Sequence, residues 1–260
     1  MEEDIIKQEI VLSKKPRITI LNTKIDVLNV QETIDLVEQY IITKTPLHLV
    51  GVNADKINEL NINERLKQII NSCGVINADG VSVIMASRFL GKPLPERVAG
   101  IDLMLHLISL SEKKNYSVYL LGARQDIVER TAKVLMEKHP GLNLIGIHNG
   151  YFKKENWDEI FFELKEKNPD LIFVGITSPL KEYLVEYFQN RGIKGVFMGV
   201  GGSFDVISGK VLRAPIWMQK FGLEWLFRVL QEPKRLFKRY FIGNGIFVKS
   251  IIREKLKGTP

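Results

Sequence analysis

Asp79 ends a short apolar run, Val75-Ile76-Asn77-Ala78, and is followed at once by Gly80. A carboxylate at the end of a buried strand has two readings. It caps the helix that follows, taking its free N–H groups, or it is a general base aimed at a substrate hydroxyl. Arg97 lies further on, behind Pro93 and Pro95 in a loop-like segment. A guanidinium there is either salt-bridged or a clamp for phosphate oxygens. Gly199-Val200-Gly201-Gly202-Ser203-Phe204-Asp205 gathers small residues where backbone N–H groups could approach an anion, with Asp205 placed for a ribose hydroxyl. The competing reading is a tight strand-to-helix turn. Gly122-Ala123-Arg124 is a weaker version of the same pattern.

These groups need elements to hold them. Continuous apolar runs (LHLVGV, YSVYLLG, PDLIFVGI, KGVFMGV) alternate with segments of helical periodicity, joined by short links. Strands without polar alternation are buried on both faces, so the pattern predicts an α/β fold: a mostly parallel, Rossmann-like sheet covered by helices. In such sheets ligands bind at the carboxyl ends of the strands. Asn53-Ala54-Asp55, Asp79-Gly80, Arg124, His148-Asn149-Gly150-Tyr151, Thr177-Ser178-Pro179 and the Gly199–Asp205 loop all fall there. RITILNTKIDVLN reads as a strand or hairpin, Asn29 as a helix cap, and RLKQIINSC as the completion of the helix begun by ADKINEL.

Three segments are expected: a polar arm over 1–16, an α/β core over 17–209, and a helical appendage over 210–260, broken near Pro233 and near Gly243-Asn244-Gly245. Charge separates the last two. Residues 210–258 carry twelve Lys/Arg and three Glu, a net +9, within a chain of net +7. Trp217, Phe221, Trp225, Phe227, Phe237 and Tyr240 are interleaved with those cations. Aromatics among cations suit an anionic membrane surface, and no standard nucleic-acid module is recognised. The alternative is helices packed on the body with a solvated basic face, and apolar residues there could equally serve a homo-oligomer interface. No run approaches the roughly 18–20 apolar residues of a membrane span, and the acidic N-terminus MEEDIIKQEI has no signal-peptide character. The lone Cys73 excludes a cysteine zinc cage, and the four histidines lack metal-ligand spacing. Neither metal nor cofactor is expected, and a cytoplasmic placement is.

Several segments together resemble the WecG/TagA/CpsF family of bacterial glycosyltransferases: VNADKI, INADGVSVIMASRFLGKPLPERVAGIDLM, VYLLGAR, GYF, PDLIFVGITSPLKE and FMGVGGSFDVISGKVLRAPIWMQKFGLEWLFRVLQEPKRLFKRY, in order over roughly residues 20–245. The resemblance implies an inverting enzyme, peripheral on the inner face of the cell membrane. It would pass a sugar from UDP-sugar to an undecaprenyl-diphosphate-linked sugar without an essential metal. It makes Asp79 the catalytic base and Arg97 the residue that stabilises the leaving diphosphate. Asn53, Gly51, Lys181 and Glu182 line the substrate pocket. Tyr151, Gly199, Gly201, Gly202 and Asp205 belong to the nucleotide. Arg213, Arg228 and Arg235 face phosphate from a membrane-docking appendage. Two positions depart from the family pattern: Gly51 stands where many members carry threonine, and Lys181 where many carry glutamine. A lysine there would suit an acidic sugar or an additional phosphate contact.

Two other classes compete. A nucleotide-binding oxidoreductase would use the same sheet, but its glycine-rich first turn and ribose acid are missing. A non-enzymatic membrane- or nucleic-acid-binding module would explain the basic tail and leave the polar strand ends without a purpose.

Overall fold

The computed structural model describes residues 16–258. The arm expected over 1–16 lies outside them except for Pro16. Strands β1 (Arg17–Ile20) and β2 (Thr23–Asp26) form the expected hairpin, turning at Leu21 and Asn22, both with positive φ. Asp26 pins it to the body: its carboxylate accepts from Arg17 Nε at 2.8 Å and from the Ile76 N–H at 2.7 Å.

Six further strands make one sheet: β3 (Leu47–Val52), β4 (Val75–Ala78), β5 (Val118–Gly122), β6 (Leu144–His148), β7 (Leu171–Gly175) and β8 (Val196–Gly199). Their order is β4-β3-β8-β7-β5-β6, and every pair is parallel. Helices α1 (Val30–Ile42), α2 (Ala54–Leu60), α3 (Glu64–Ser72), α4 (Val81–Phe89), α5 (Gly100–Lys114), α6 (Gln125–Lys138), α7 (Trp157–Lys167) and α8 (Leu180–Asn190) supply the connections. The predicted Asn29 cap is present, with its side chain on the Glu32 N–H and that of Glu32 on the Asn29 N–H.

The period of two along the strands sorts the core. Leu120, Phe173 and Met198 face one side and pack with Val37, Leu103, Leu107 and Leu135 of α1, α5 and α6. Their neighbours Tyr119, Ile172 and Phe197 face the other and pack with Trp157, Phe161, Leu184 and Phe188 of α7 and α8. Connections leave β5 toward β6 but leave β7 toward β8, so the chain reverses direction between adjacent β5 and β7. At that reversal the strands approach closely: a Cβ on Gly122, whose φ is 140°, would lie 2.5 Å from the backbone of Gly175. Only glycine fits there.

After β8 the chain is helical: α9 (Ser203–Ile207), α10 (Ile216–Lys220), α11 (Glu224–Gln231) and α12 (Pro233–Leu256). Two expectations need correction. ADKINEL and RLKQIINSC are separate helices, because Asn63 restarts the chain by accepting the Leu66 N–H at 3.0 Å. The break at Pro233 is present, with proline at the start of α12, but Gly243-Asn244-Gly245 does not interrupt that helix. This part of α12 packs on α2, where Asn58 Nδ2 donates to the Gly243 carbonyl at 2.7 Å.

The C-terminal helix is part of the core. Phe247 and Ile251 are buried in one cluster with Val50, Ile57, Ile76 and Val83, and Glu254 accepts the Leu21 N–H at 2.8 Å. Phe247→Ala should therefore cost about 3–5 kcal/mol in urea unfolding. Phe237→Ala, at an exposed position of the same helix, should change stability by under about 0.5 kcal/mol. Equal effects would contradict this packing.

Candidate active site

Because the six strands run parallel, the segments that follow them meet at one rim. They line a cavity of about 2620 Å³ closed on one side by α11 and α12. That exceeds the roughly 300–1,000 Å³ typical of a single small-ligand pocket. Gly51, Asn53, Asp79, Arg97, Tyr151, Lys181, Gly199, Gly201, Gly202, Asp205 and Arg228 all border it.

Asp79 extends the β3–β4 ladder by one step, its N–H donating to the Val52 carbonyl at 2.9 Å. It does not cap the helix that follows: α4 has Gly80 at its N-cap and no side-chain bond there. Instead Asp79 Oδ1 accepts the N–H of Gly100, the first residue of α5, at 3.1 Å. The carboxylate thus faces the positive end of another helix. Its second oxygen has no hydrogen bond among the described residues. Added Cβ atoms at Gly51 and Gly100 would come within 3.5 and 3.8 Å of that oxygen, so glycines leave it bare on two sides. Burial pushes the Asp79 carboxyl above the usual carboxylate range. The Gly100 N–H and the Arg97 and Arg228 guanidiniums pull the other way, and Glu224 adds to the rise.

Arg97 pairs with Glu224, the first residue of α11. Arg213 bonds Asp102 of α5 at 2.6 Å and stands 3.8 Å from Glu224. This chain of four charges ties the Arg97 loop and α5 to the C-terminal helices. Arg228 reaches over the glycine loop, its Nη1 3.8 Å from where a Gly202 Cβ would be. Arg213 is not on the cavity wall. The Arg235 side chain lies outside the described residues.

The glycine loop turns through Gly201, with φ of 52°, into the five-residue helix α9. Asp205 lies in that helix, paired with Lys210 at 2.8 Å. Tyr151 is 77 % exposed at the rim. Asn53 has a local duty: its Oδ1 caps α2 by accepting the Lys56 N–H at 3.0 Å.

Glu182, expected among the substrate contacts, is corrected. It is fully buried and does not reach the cavity surface. It serves as counter-ion to two lysines, Lys56 at 2.6 Å and Lys181 at 3.4 Å. Burial alone would raise its pKa, but the two cations win and hold it at about 2. Beneath them His48 is buried, and desolvation pushes it down to about 3, so it is neutral.

Lys56, Gly100 and Glu224 are not singled out by the sequence. A lysine in the first turn of one helix, a glycine opening another and a glutamate opening a third are ordinary residues until the fold brings them to one cavity. Among the described residues, no group of three or more His, Cys, Asp or Glu side chains could hold a metal, and no helix is long and apolar enough to cross a membrane.

The sequence matches the Glycosyl transferase WecG/TagA/CpsF family over residues 18–260. It is 34% identical over 187 residues to an N-acetylglucosaminyldiphosphoundecaprenol N-acetyl-beta-D-mannosaminyltransferase of Bacillus spizizenii, covering 72% of each chain. Proteins of the same name from Staphylococcus aureus and Bacillus subtilis are each 30% identical. The alignment covers 94% of this chain and 96% of the first, and 80% of this chain and 80% of the second. This extent of likeness decides against the oxidoreductase and the non-enzymatic readings: the chain belongs to the WecG/TagA/CpsF family of glycosyl transferases.

Proposed function

We propose that the enzyme transfers an N-acetylmannosamine-type hexose from a UDP-sugar to a polyprenyl-diphosphate-linked N-acetylglucosamine, with Asp79 as general base. The observation that carries this reading is the Asp79 carboxylate. One oxygen is held by the Gly100 N–H, and the other lies bare between two glycines in a cavity large enough for two substrates. The relatives' names supply the sugar and the acceptor.

The reaction is a single displacement. Asp79 takes the proton of the acceptor hydroxyl, whose oxygen bonds to the anomeric carbon from the face opposite the UDP. The bond from that carbon to the diphosphate breaks, and UDP leaves with the electron pair, so the configuration inverts. Raised basicity suits Asp79 to this, since a base is most effective with a pKa near the working pH. Negative charge grows on the departing diphosphate, and preorganised cations nearby stabilise it. Arg97 and Arg228 are those cations. Arg97 reaches the phosphate by exchanging its bond to Glu224 for one to the substrate. Asn53, Tyr151 and the Gly199–Asp205 loop hold the donor, and no metal or other cofactor is part of this scheme.

The acceptor is anchored in a bilayer, so the enzyme must come to it. The C-terminal helices support peripheral docking on an anionic inner membrane face. Trp217, Phe237, Phe241 and Ile246 are exposed there, Phe237 and Phe241 stack at 4.3 Å between centroids, and the segment carries net +9. Because Phe247 and Ile251 belong to the core, deleting residues 210–260 would unfold the body. Surface substitutions are the usable probe.

Asp79→Asn keeps an acceptor for the Gly100 N–H but cannot take a proton. It should lower kcat by about 10²–10⁴-fold with UDP affinity unchanged. Equal losses in turnover and UDP binding would argue against a base. Ionised Asp79 is the active form and burial raises its pKa, so wild-type activity should fall as pH drops, with a midpoint above the ordinary aspartate value of about 3.9. That acid limb should be missing from the residual activity of the variant. Phe237→Ser with Phe241→Ser should leave the fold intact and reduce sedimentation with vesicles containing anionic phospholipid. Undiminished binding would place the docking surface elsewhere.

A further inference from the structure

Asn77 is a buried polar side chain that the scheme above does not use. It lies in β4 two residues before Asp79, so the period of two along a strand puts both on one face of the sheet. That face carries the packing of α1 and α5: Val75, two residues earlier, belongs to one core cluster with Leu49, Leu103 and Met198. Asn77 is 1 % exposed. Its Oδ1 meets Thr33 Oγ1 of α1 at 3.4 Å, and that hydroxyl donates more closely to the Asn29 carbonyl, at 2.8 Å. Its Nδ2 has no hydrogen-bond partner among the described residues. A buried amide donor without a partner is costly, and an acceptor on a bound ligand relieves that cost.

The place for that acceptor adjoins the base. Asn77 borders the large cavity, and so do Leu49, Val98, Leu103 and Met198, which are themselves buried. Together they make an inner recess with apolar walls and one amide. In the parallel register Asn77 sits beside Gly51 of β3, which has no side chain to lie over the amide. Gly51 is equally close to the base, since an added Cβ would lie 3.0 Å from the Asp79 Cβ. Two residues along a strand put roughly 6.6 Å between Asp79 and Asn77. A pyranose ring with one substituent spans that distance.

The chemistry of the recess narrows what it takes. The free N–H groups call for an acceptor, which excludes an ammonium group. The Asp79 carboxylate on the same face disfavours a second anion. The apolar walls disfavour a bare hydroxyl, which needs partners for both its proton and its lone pairs, and they favour a methyl group. A neutral carbonyl bearing a methyl meets all three conditions, and on a sugar that is an acetamido group.

We infer that Asn77 is a specificity-determining residue whose Nδ2 donates to the carbonyl oxygen of a substrate sugar's acetamido group, with the acetyl methyl packed on Leu49, Leu103 and Met198. This rests on the sugar-transfer reading above, in which donor and acceptor both carry such a group, and the experiment separates the two.

The test pairs each acetamido substrate with its 2-hydroxyl counterpart, in wild type, Asn77→Ala and the milder Asn77→Ser, with thermal unfolding measured alongside. For the donor, UDP, UDP-N-acetylmannosamine and UDP-mannose are titrated calorimetrically. For the acceptor, kcat/KM is measured with polyprenyl-diphosphate-linked N-acetylglucosamine and with the glucose form. Wild type should prefer the acetamido form of one substrate by at least about tenfold, as expected for a hydrogen bond with a buried methyl. A folded Asn77 variant should lose most of that preference while UDP affinity stays within about twofold. Loss on the donor side assigns the recess to the donor sugar, and loss on the acceptor side assigns it to the acceptor. A folded variant that keeps both preferences, or that weakens UDP as much as the acetamido donor, overturns the inference. Equal use of acetamido and hydroxyl forms by wild type overturns it whether or not the variants fold. If UDP does not bind wild type, the sugar-transfer reading fails first and takes this inference with it.

Discussion

The arrangement depends on one hydrogen bond, from the Gly100 N–H to the Asp79 carboxylate. It joins the end of β4 to the start of α5, two points well apart in the chain. It fixes one carboxylate oxygen and leaves the other turned to the cavity. The positive end of α5 makes a charged carboxylate tolerable in surroundings that would otherwise protonate it. The two glycines beside the free oxygen matter as well, because a side chain at Gly51 or Gly100 would come up against it. Backbone thus supplies both the hydrogen bond to this carboxylate and the bare space beside it, and Arg97 and Arg228 add to its stabilisation.

A second constraint is the placement of charge around that centre. Arg97, Arg213, Asp102 and Glu224 form a chain of ion pairs between body and C-terminal helices. Partly exposed pairs of this kind contribute little to stability individually. Their value here is geometric: they tie the Arg97 loop and α5 to the C-terminal helices. The body contributes the base and the C-terminal segment contributes Arg228, so the cavity wall is completed only when α11 and α12 are docked. Phe247 and Ile251 secure that docking through the hydrophobic core, which makes the basic segment an integral part of the folded enzyme.

The buried cluster under the glycine loop obeys different physics. Lys56, Lys181 and Glu182 are removed from water, where an imperfectly paired ion is expensive. Hydrophobic residues of similar volume would serve the fold as well or better. Glu182 holds both lysines there, and Lys56 and Lys181 border the cavity above.

The α/β class and the rim of polar strand ends were legible in the sequence by itself, because strands buried on both faces must be apolar throughout and parallel strands must bring their carboxyl ends together. Asp79, Arg97 and the glycine loop could be singled out on the same ground. Local capping rules also held at Asn29. They would have split α2 from α3 had the weight of Asn63 been recognised. Tertiary structure alone decided the rest. Gly243-Asn244-Gly245 has breaker composition yet stays helical, because packing on α2 outweighs the weak local preference of glycine. Glu182 looks like a pocket residue in a polar motif, but the first turn of α8 directs it inward, where only its lysines can reach it. Glu224 and Gly100 become neighbours of Arg97 and Asp79 through folding over long stretches of chain, and no local pattern records such a meeting. Sequence determines which residues are suited to chemistry. The fold determines which of them share a cavity, because that depends on packing between elements far apart along the chain.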